Sequence, residues 1–225
     1  FTGYGNVSQG AQEIIGLLPV KEISPAKLLE LEKRDHLPNN LIYKVVYKEE
    51  DLVEPVEAGA EFDLHDYYTN PQHYRSTFGQ YLPHLSMLIN CVYWDARYPR
   101  LITKEQLSGL FRDGRPKLTV VGDISCDVNG SVEFTEKATE IEDPIFVYDP
   151  FLQSIAMGHK GDGMLVMAVD ILPSELPRDS SYGFSDVLIN FVIPIADCDF
   201  EEDYEDLDLP RAVKRALILH NGELT

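Results

Sequence analysis

The sequence predicts an α/β fold with a doubly wound, mostly parallel sheet, an irregular insertion and C-terminal helices. Apolar segments with the length of buried strands alternate along the chain with segments whose apolar residues recur at helical spacing. Such alternation is typical of a parallel sheet covered by helices. In addition, the glycines Gly3 and Gly5 directly precede the first helical segment, which is the arrangement of a strand-to-helix turn.

Composition and charge narrow the classes of function. The 225 residues are 44% hydrophobic and 25% charged, as in globular proteins, and no apolar run reaches the ~18 residues of a membrane helix. A membrane is therefore not an expected partner, and neither is nucleic acid, because a formal net charge of −19 repels phosphate backbones. Three widely spaced cysteines, Cys91, Cys126 and Cys198, predict neither a disulfide framework nor a zinc site.

The N-terminal segments predict a helix, a strand and a second helix in that order. The first helix is expected between Asn6 and Leu18, because its apolar residues recur every three to four positions. The segment "PVKEIS" is a short strand candidate, and Pro25 stands at the first turn of the next helix. From about residue 35 to 85 the pattern weakens into a proline-broken, aromatic insertion, in which "VVYKEEDLVEP" carries a weak strand signal.

The remainder of the chain predicts a regular α/β order. "GHKGDG" is interpreted as a hairpin turn, and Asn221-Gly222 as a turn after the last helix. We expect a dinucleotide-binding domain over residues 1–179 and a C-terminal helical segment over 180–225. The strand candidates are "LSMLINCVYW", "KLTVVGDIS", "PIFVYD" and "GMLVMAVD", and the helix candidates are "TKEQLSGLF", a segment within 172–195, and "LPRAVKRALIL".

The glycine turn "FTGYGNVSQGA" predicts a Rossmann-type dinucleotide site. Gly3 permits a tight turn out of a strand, and Gly5 lets the backbone approach a pyrophosphate. The helix that begins near Asn6 directs its N–H groups and the positive end of its dipole at the anion, so Tyr4 and Val7 are also expected to contact the cofactor. A plain strand-to-helix turn that binds nothing is the alternative. Only Phe1 and Thr2 precede Gly3, so the first strand is expected to be truncated.

The choice between NAD and NADP depends on the tip of the second strand, where NAD enzymes carry an acid that binds the ribose. If that strand runs through Ile23, its tip is the uncharged Ser24, with Lys27 nearby. A tip without a carboxylate beside a lysine favours the 2′-phosphate of NADP. NAD stays the alternative, because the acidic Glu22 also lies near this tip.

Several motifs in order resemble one family along essentially the whole chain. They resemble the lysine–2-oxoglutarate reductase half of the bifunctional aminoadipic semialdehyde synthases, within the alanine dehydrogenase and transhydrogenase superfamily. That half reduces the imine of lysine and 2-oxoglutarate to saccharopine with NADPH. The motifs are "FTGYGNVSQGAQEI", "LINCVYWDARYPRLIT", "GDISCDVNGSVEF", "GDGMLVMAVDILPSELP" and "RALILHNGELT", of which the third is the most diagnostic.

The resemblance also implies roles for residues at the ends of later strands. It places Asp127 close to the nicotinamide and the substrate amine, as the catalytic candidate, and Ile124 beside the nicotinamide ring. From the residues alone, Asp127 is equally a strand-end aspartate that caps a turn.

Further cofactor contacts follow from the same resemblance. It implies that Val92 and Tyr93 line the adenosine or ribose side of the cofactor, and the strand end from Cys91 to Tyr93 is expected to help orient the nicotinamide. Ile171 aligns where the superfamily carries an asparagine near the nicotinamide. Asp170 is expected to make that contact in place of the asparagine. Cys126 is interpreted as a packing residue rather than a reactive thiol, and no metal ligand set is expected among His65, His73 and the neighbouring acids.

The resemblance further implies that acid–base residues come from an N-terminal domain outside this chain. The C-terminal segment is expected to return towards that domain, and a saccharopine dehydrogenase half is expected to follow. An NAD-dependent, lysine-forming saccharopine dehydrogenase and a non-catalytic cofactor-binding or docking module are the alternatives. The sequence does not fix the oligomeric state and is compatible with a homo-oligomer. It also does not fix the compartment, for which the mitochondrial matrix and the cytoplasm are the alternatives.

Overall fold

The computed structural model describes residues 1–31, 38, 40–112 and 114–225. The end of the second predicted helix and the start of the predicted insertion lie outside these residues. The α-helices are α1 (Asn6–Ile15), α2 (Pro25–Leu31), α3 (Glu49–Leu52), α4 (Leu64–Thr69), α5 (Lys104–Phe111), α6 (Pro177–Asp197) and α7 (Arg211–Ala216), and short 3₁₀ helices cover Pro71–His73, Phe78–His84 and Leu172–Glu175. The strands are β1 (Val20–Glu22), β2 (Ile42–Lys44), β3 (Val53–Pro55), β4 (Tyr74–Ser76), β5 (Met87–Asn90), β6 (Val120–Asp123), β7 (Ile145–Asp149), β8 (Ser154–Met157), β9 (Met164–Met167), β10 (Leu219–His220) and β11 (Glu223–Leu224).

The largest sheet in the described part of the chain has the strand order β5-β6-β9-β7-β8. Strands β5, β6 and β9 are parallel, whereas β7 runs antiparallel to both of its neighbours. Its buried side chains include Leu88, Val121, Phe146 and Val166, each 0% exposed. The α/β class with a mainly parallel sheet is therefore confirmed.

The first residues of the chain act as a further strand beside β5. Thr2 forms parallel bridges to Asn90 on one side and to Tyr47 on the other. The Thr2 amide donates to the carbonyl of Ile89 over 3.0 Å, and the Gly3 amide donates to the carbonyl of Tyr47 over 2.9 Å. Because β2 continues towards Tyr47 and pairs in parallel with β1, the two sheets join through residues 1–3.

Part of the predicted insertion is therefore sheet and core rather than irregular loop. The segment from β2 to Tyr47 neighbours the glycine turn, and the ring of Tyr47 is fully buried. It packs against Phe78 and Tyr81, with ring centroids 5.1 Å and 4.8 Å away. These aromatic contacts order a segment that has few regular strands or helices of its own.

The interpretation of "GHKGDG" as a hairpin turn is wrong. The hairpin joins β7 to β8, where the carboxylate of Asp149 accepts from the amides of Phe151 and Leu152. "GHKGDG" instead crosses from the edge strand β8 to β9, on the other side of β7. The sequence did not predict β8, because this edge strand is mostly exposed and has a weak apolar signal.

The chain forms two compact units, Phe1–Asp170 and Ile171–Thr225. The predicted domain boundary, between residues 179 and 180, falls inside α6. The second unit contains α6, α7 and the β10–β11 hairpin, whose turn at Asn221-Gly222 has two positive φ angles, 50° and 86°. That turn agrees with the sequence prediction, since both positions favour Asn-Gly. No helix among the described residues has the length and apolar character needed to cross a bilayer.

Candidate functional site

A cavity of about 390 Å³ lies where the glycine turn, the start of α3 and the chain after β5 meet. These segments follow parallel neighbours in the sheet, so they share the edge at which such sheets bind ligands. The cavity brings together eight of the predicted cofactor residues: Gly3, Tyr4, Gly5, Asn6, Val7, Cys91, Val92 and Tyr93.

The glycine turn has the geometry expected of an anion cradle. Gly3 has φ of +77°, and a Cβ atom there would lie 3.3 Å from the carbonyl oxygen of Cys91, so glycine is required. Gly5 is the N-cap of α1 and no side chain caps this helix. A Cβ atom at Gly5 would have no neighbour within 4 Å, so open space borders the uncapped amides. Backbone N–H groups and the positive end of the helix dipole are therefore available to an anion at this point.

The structure does not bring Ser24 to this cavity. Its hydroxyl accepts from the amide of Lys27 over 3.2 Å and its carbonyl accepts from the amide of Leu28, so Ser24 caps α2. It follows β1, which β2 separates from the glycine turn. Lys27 forms an ion pair with Glu30, and Glu22 forms one with Lys44 over 2.7 Å.

Lys48 and Glu49, and not Ser24, stand at the strand tip next to the glycine turn. They follow Tyr47, the bridge partner of Thr2. Lys48 is exposed, whereas Glu49 is half-buried and lines the cavity. The hydroxyl of Tyr68 donates to Glu49 over 2.6 Å, and Glu49 is the main cause of a raised Tyr4 pKa. The "VVY" run before Lys48 was the signal that could have identified them.

An aromatic wall, which no sequence motif indicated, completes the cavity. Tyr67 from α4 and Tyr98 from the segment after β5 meet with ring centroids 5.3 Å apart. The Trp94 indole N–H donates to the carbonyl of Tyr98 over 3.1 Å, and the guanidinium of Arg100 lies 5.5 Å from the Trp94 ring. A wall of this kind fits a flat aromatic ring such as a purine.

A second group of predicted residues lies at the ends of β6 and β9, outside the lining of the cavity. The thiol of Cys126 donates to the carbonyl of Ala168 over 2.7 Å, which joins the two strand ends. Burial raises the pKa of Cys126 to about 11, with further contributions from the carboxylates of Asp123, Asp170 and Asp127. The thiol is therefore protonated at neutral pH, as a packing residue would be, and the predicted Asp127 and Asp170 both lie near it. Ile124, also half-buried, is tied to β5 by its amide, which donates to the Asn90 carbonyl over 3.0 Å.

Asp127 has a half-buried carboxylate that meets no hydrogen-bond donor or cation among the described residues. Burial raises its pKa above the ordinary value. The turn that Asp127 begins uses its backbone instead, since the Gly130 amide donates to the Asp127 carbonyl over 2.8 Å. The side chain is thus available to a cationic ligand.

Of the remaining predicted residues, Asp170 is exposed at the end of the first unit. Ile171 is the first residue of the second unit, and its side chain is half exposed.

Comparison with known proteins then identifies the family. The sequence pattern described as "Alanine dehydrogenase/PNT, C-terminal domain" matches residues 67–225. The chain belongs to this family. Over its whole length it is 42% identical to alpha-aminoadipic semialdehyde synthase of Arabidopsis thaliana and 33% identical to the mitochondrial synthase of Mus musculus. It spans only 22% and 26% of those two proteins.

A solved L-alanine dehydrogenase supports the fold. It aligns with the whole chain at a TM-score of 0.51 and 15% identity, and the alignment covers 49% of that structure. The resemblance to the synthases and the α/β fold are therefore confirmed. The family match begins at residue 67, so the interpretation of the glycine turn depends on its geometry and on the full-length similarity to the synthases.

Proposed function

We propose that the chain is the cofactor-binding part of an oxidoreductase that reduces the imine of L-lysine and 2-oxoglutarate to saccharopine, with NADPH as reductant. One observation carries the proposal: a single cavity joins the glycine turn to the residues after β5. The full-length similarity to aminoadipic semialdehyde synthases supports the choice of substrate.

The residues present fit a nicotinamide dinucleotide. With a net charge of −19, the chain can hold a phosphate only through local donors, and the uncapped start of α1 beside Gly5 supplies them. The aromatic wall formed by Tyr67, Trp94 and Tyr98 fits the adenine ring. The reduced cofactor supplies a hydride to the imine carbon while the nitrogen becomes a secondary amine.

Asp127 is proposed to hold the cationic form of the imine. Its half-buried carboxylate, which pairs with none of the described residues, lies near Cys126, whose thiol is also close to Asp123 and Asp170. Carboxylates grouped in this way stabilise the protonated, cationic imine relative to the neutral imine. The protonated imine is the form that accepts hydride. The acid–base groups are proposed to come from an N-terminal domain, and the segment 180–225 is proposed to return towards it. A saccharopine dehydrogenase domain is proposed to follow in the same polypeptide.

NADP is proposed as the preferred cofactor on a different ground from that of the sequence analysis. The residue directly after Tyr47 is the cation Lys48, at the strand tip where NAD enzymes carry an acid. The nearby carboxylate of Glu49 already accepts a hydrogen bond from Tyr68. A lysine at this tip favours a 2′-phosphate.

The test is a fluorescence titration of the full-length protein with NADPH and NADH. It is combined with an assay of the oxidation of each cofactor in the presence of lysine and 2-oxoglutarate. Saccharopine formation with tighter binding of NADPH supports the proposal. Activity only with NADH and preference for the reverse reaction would favour a lysine-forming saccharopine dehydrogenase. Cofactor binding without turnover would favour a docking module, and no binding of either cofactor would overturn the proposal.

A further inference from the structure

Asn90 is a fully buried amide at the last position of β5, directly before the cavity residue Cys91. Its side chain makes hydrogen bonds to three partners. The oxygen accepts from the hydroxyl of Thr2 over 2.7 Å. The nitrogen donates to the carboxylate of Asp123 and to the hydroxyl of Ser131, both over 2.8 Å.

Each partner belongs to a different part of the candidate site. Thr2 precedes Gly3, and its hydroxyl also accepts from the amide of Cys91 over 3.2 Å. Ser131 lines the cavity. Asp123 ends β6, and its carboxylate also accepts from the hydroxyl of Thr135 over 2.6 Å.

The backbone of Asn90 makes a second connection between the end of β5 and the end of β6. Its carbonyl accepts from the amides of Ile124 and Ser125, over 3.0 Å and 3.3 Å. These two residues begin the loop that carries Asp127. One residue therefore ties the glycine turn, the cavity wall and the loop of Asp127 to a common point.

Core packing alone does not account for an asparagine at this position. The neighbouring core position in β5 is the aliphatic Leu88, which is equally buried. A buried polar network is costly when any member is left unpaired, but when complete it fixes one arrangement of its partners. Both N–H groups and the carbonyl of the Asn90 amide are paired, so this network is complete around Asn90.

We infer that Asn90 is a positioning residue that sets the distance between the glycine turn and the loop of Asp127. That distance decides whether one dinucleotide can contact both segments at once. The inference rests on the proposed function, because it assumes that the pyrophosphate lies at the glycine turn and the nicotinamide near Asp127.

The test compares a whole dinucleotide with a fragment that reaches only one end of the site. Asn90→Ala and Thr2→Val are made in the full-length protein, and affinities are measured for NADPH and for adenosine 2′,5′-bisphosphate. NADH and AMP replace them if the unmodified protein prefers NAD. We expect the dissociation constant of the dinucleotide to rise about tenfold or more and that of the fragment to stay within about threefold.

The matched control is Thr139→Val, which removes another buried hydroxyl that makes two bonds, donating to the carbonyl of Pro144 over 2.9 Å and accepting from the amide of Ala168 over 3.3 Å. It is expected to leave both affinities unchanged. If Asn90→Ala does not fold, Thr2→Val alone decides, since it removes the hydroxyl that binds Asn90 and the Cys91 amide but leaves the bonds of Asn90 to Asp123 and Ser131 in place. Equal losses for dinucleotide and fragment, or no loss for either, would overturn the inference while leaving the proposed function in place. An unmodified protein that binds neither dinucleotide would overturn both.

Discussion

The side-chain amide of Asn90 donates to the carboxylate of Asp123 over 2.8 Å, and both groups are buried. Thr135 donates to the other carboxylate oxygen. Burial nevertheless raises the pKa of Asp123, because the loss of hydration disfavours the charged form more than these donors favour it. The edge of the sheet thus contains an acid whose ionisation opposes folding.

Replacement of Asp123 by asparagine should therefore change the pH dependence of stability. A carboxyl whose pKa is higher in the folded state stabilises the fold when protonated, and this contribution is lost as pH rises from about 3.9 through the folded value. The free energy of unfolding of the unmodified protein should fall relative to that of Asp123→Asn over this range, by at most about 1.4 kcal/mol per pH unit. Urea unfolding between pH 4 and pH 8 measures the difference. Parallel pH profiles for the two proteins would contradict the prediction.

Gly130→Ala should destabilise the turn that presents Asp127. A Cβ atom at Gly130 would lie 2.4 Å from the Cβ of Asp127 and 2.8 Å from its carbonyl oxygen, so the backbone must move. We expect a loss of about 1–3 kcal/mol in the free energy of unfolding. The control is Gly10→Ala within α1, where a new Cβ has no neighbour within 4 Å and should stabilise by about 0.5–1 kcal/mol. Equal effects in urea unfolding would show that the turn is not closely packed.

The sequence was sufficient to predict those elements whose signal is local. The buried strands β5, β6 and β9 are nearly continuous apolar runs, and the glycine turn stands before an amphipathic helix, so each could be recognised within about ten residues. The place of β2 was not predictable in this way. It depends on pairing between Tyr47 and Thr2, which are distant in sequence, and on a short strand within an aromatic segment.

The same limitation explains why the sequence pointed, for cofactor choice, to the tip of a strand that is not adjacent to the glycine turn. Ser24 follows the first strand after the glycine turn in sequence, but β1 is not the strand adjacent to that turn in space. The residues that are adjacent, Lys48 and Glu49, became identifiable only from the sheet order. Likewise, the bonds of Asn90 depend on Thr2, Asp123 and Ser131, which no spacing rule brings together.

Gly5→Ala should separate cofactor binding from stability. Gly5 has φ of −72°, which alanine adopts without strain, and a new methyl group would contact nothing within 4 Å. The fold should therefore be retained, whereas the methyl group would occupy the space a pyrophosphate needs, raising the dissociation constant of NADPH by about tenfold or more. Fluorescence titration and thermal unfolding are measured on the same sample. Unchanged affinity would mean that the phosphate does not lie at this turn.

Lys48→Ala should weaken NADPH binding more than NADH binding. Removal of a cation at the strand tip affects only the cofactor that carries a 2′-phosphate, and we expect a difference of about tenfold between the two losses. Lys27→Ala is the matched control, because this lysine stands near Ser24 but is paired with Glu30. A larger effect at Lys27 than at Lys48 would restore the interpretation based on Ser24.

Asp127→Asn should impair turnover without loss of cofactor affinity. The turn at Asp127 depends on its backbone carbonyl, so the fold should persist, while the charge that holds the cationic imine is lost. We expect kcat/KM for lysine to fall about a hundredfold or more, with the NADPH dissociation constant within about twofold. Because burial raises the pKa of Asp127, kcat/KM of the unmodified enzyme should rise with pH as this carboxylate ionises, and the variant should lack that rise. Steady-state kinetics across pH test both statements, with Asp162→Asn in the exposed connection before β9 as the control. If the variant keeps the full pH profile, Asp127 does not hold the substrate cation, and the carboxylate that does must be sought at Asp170.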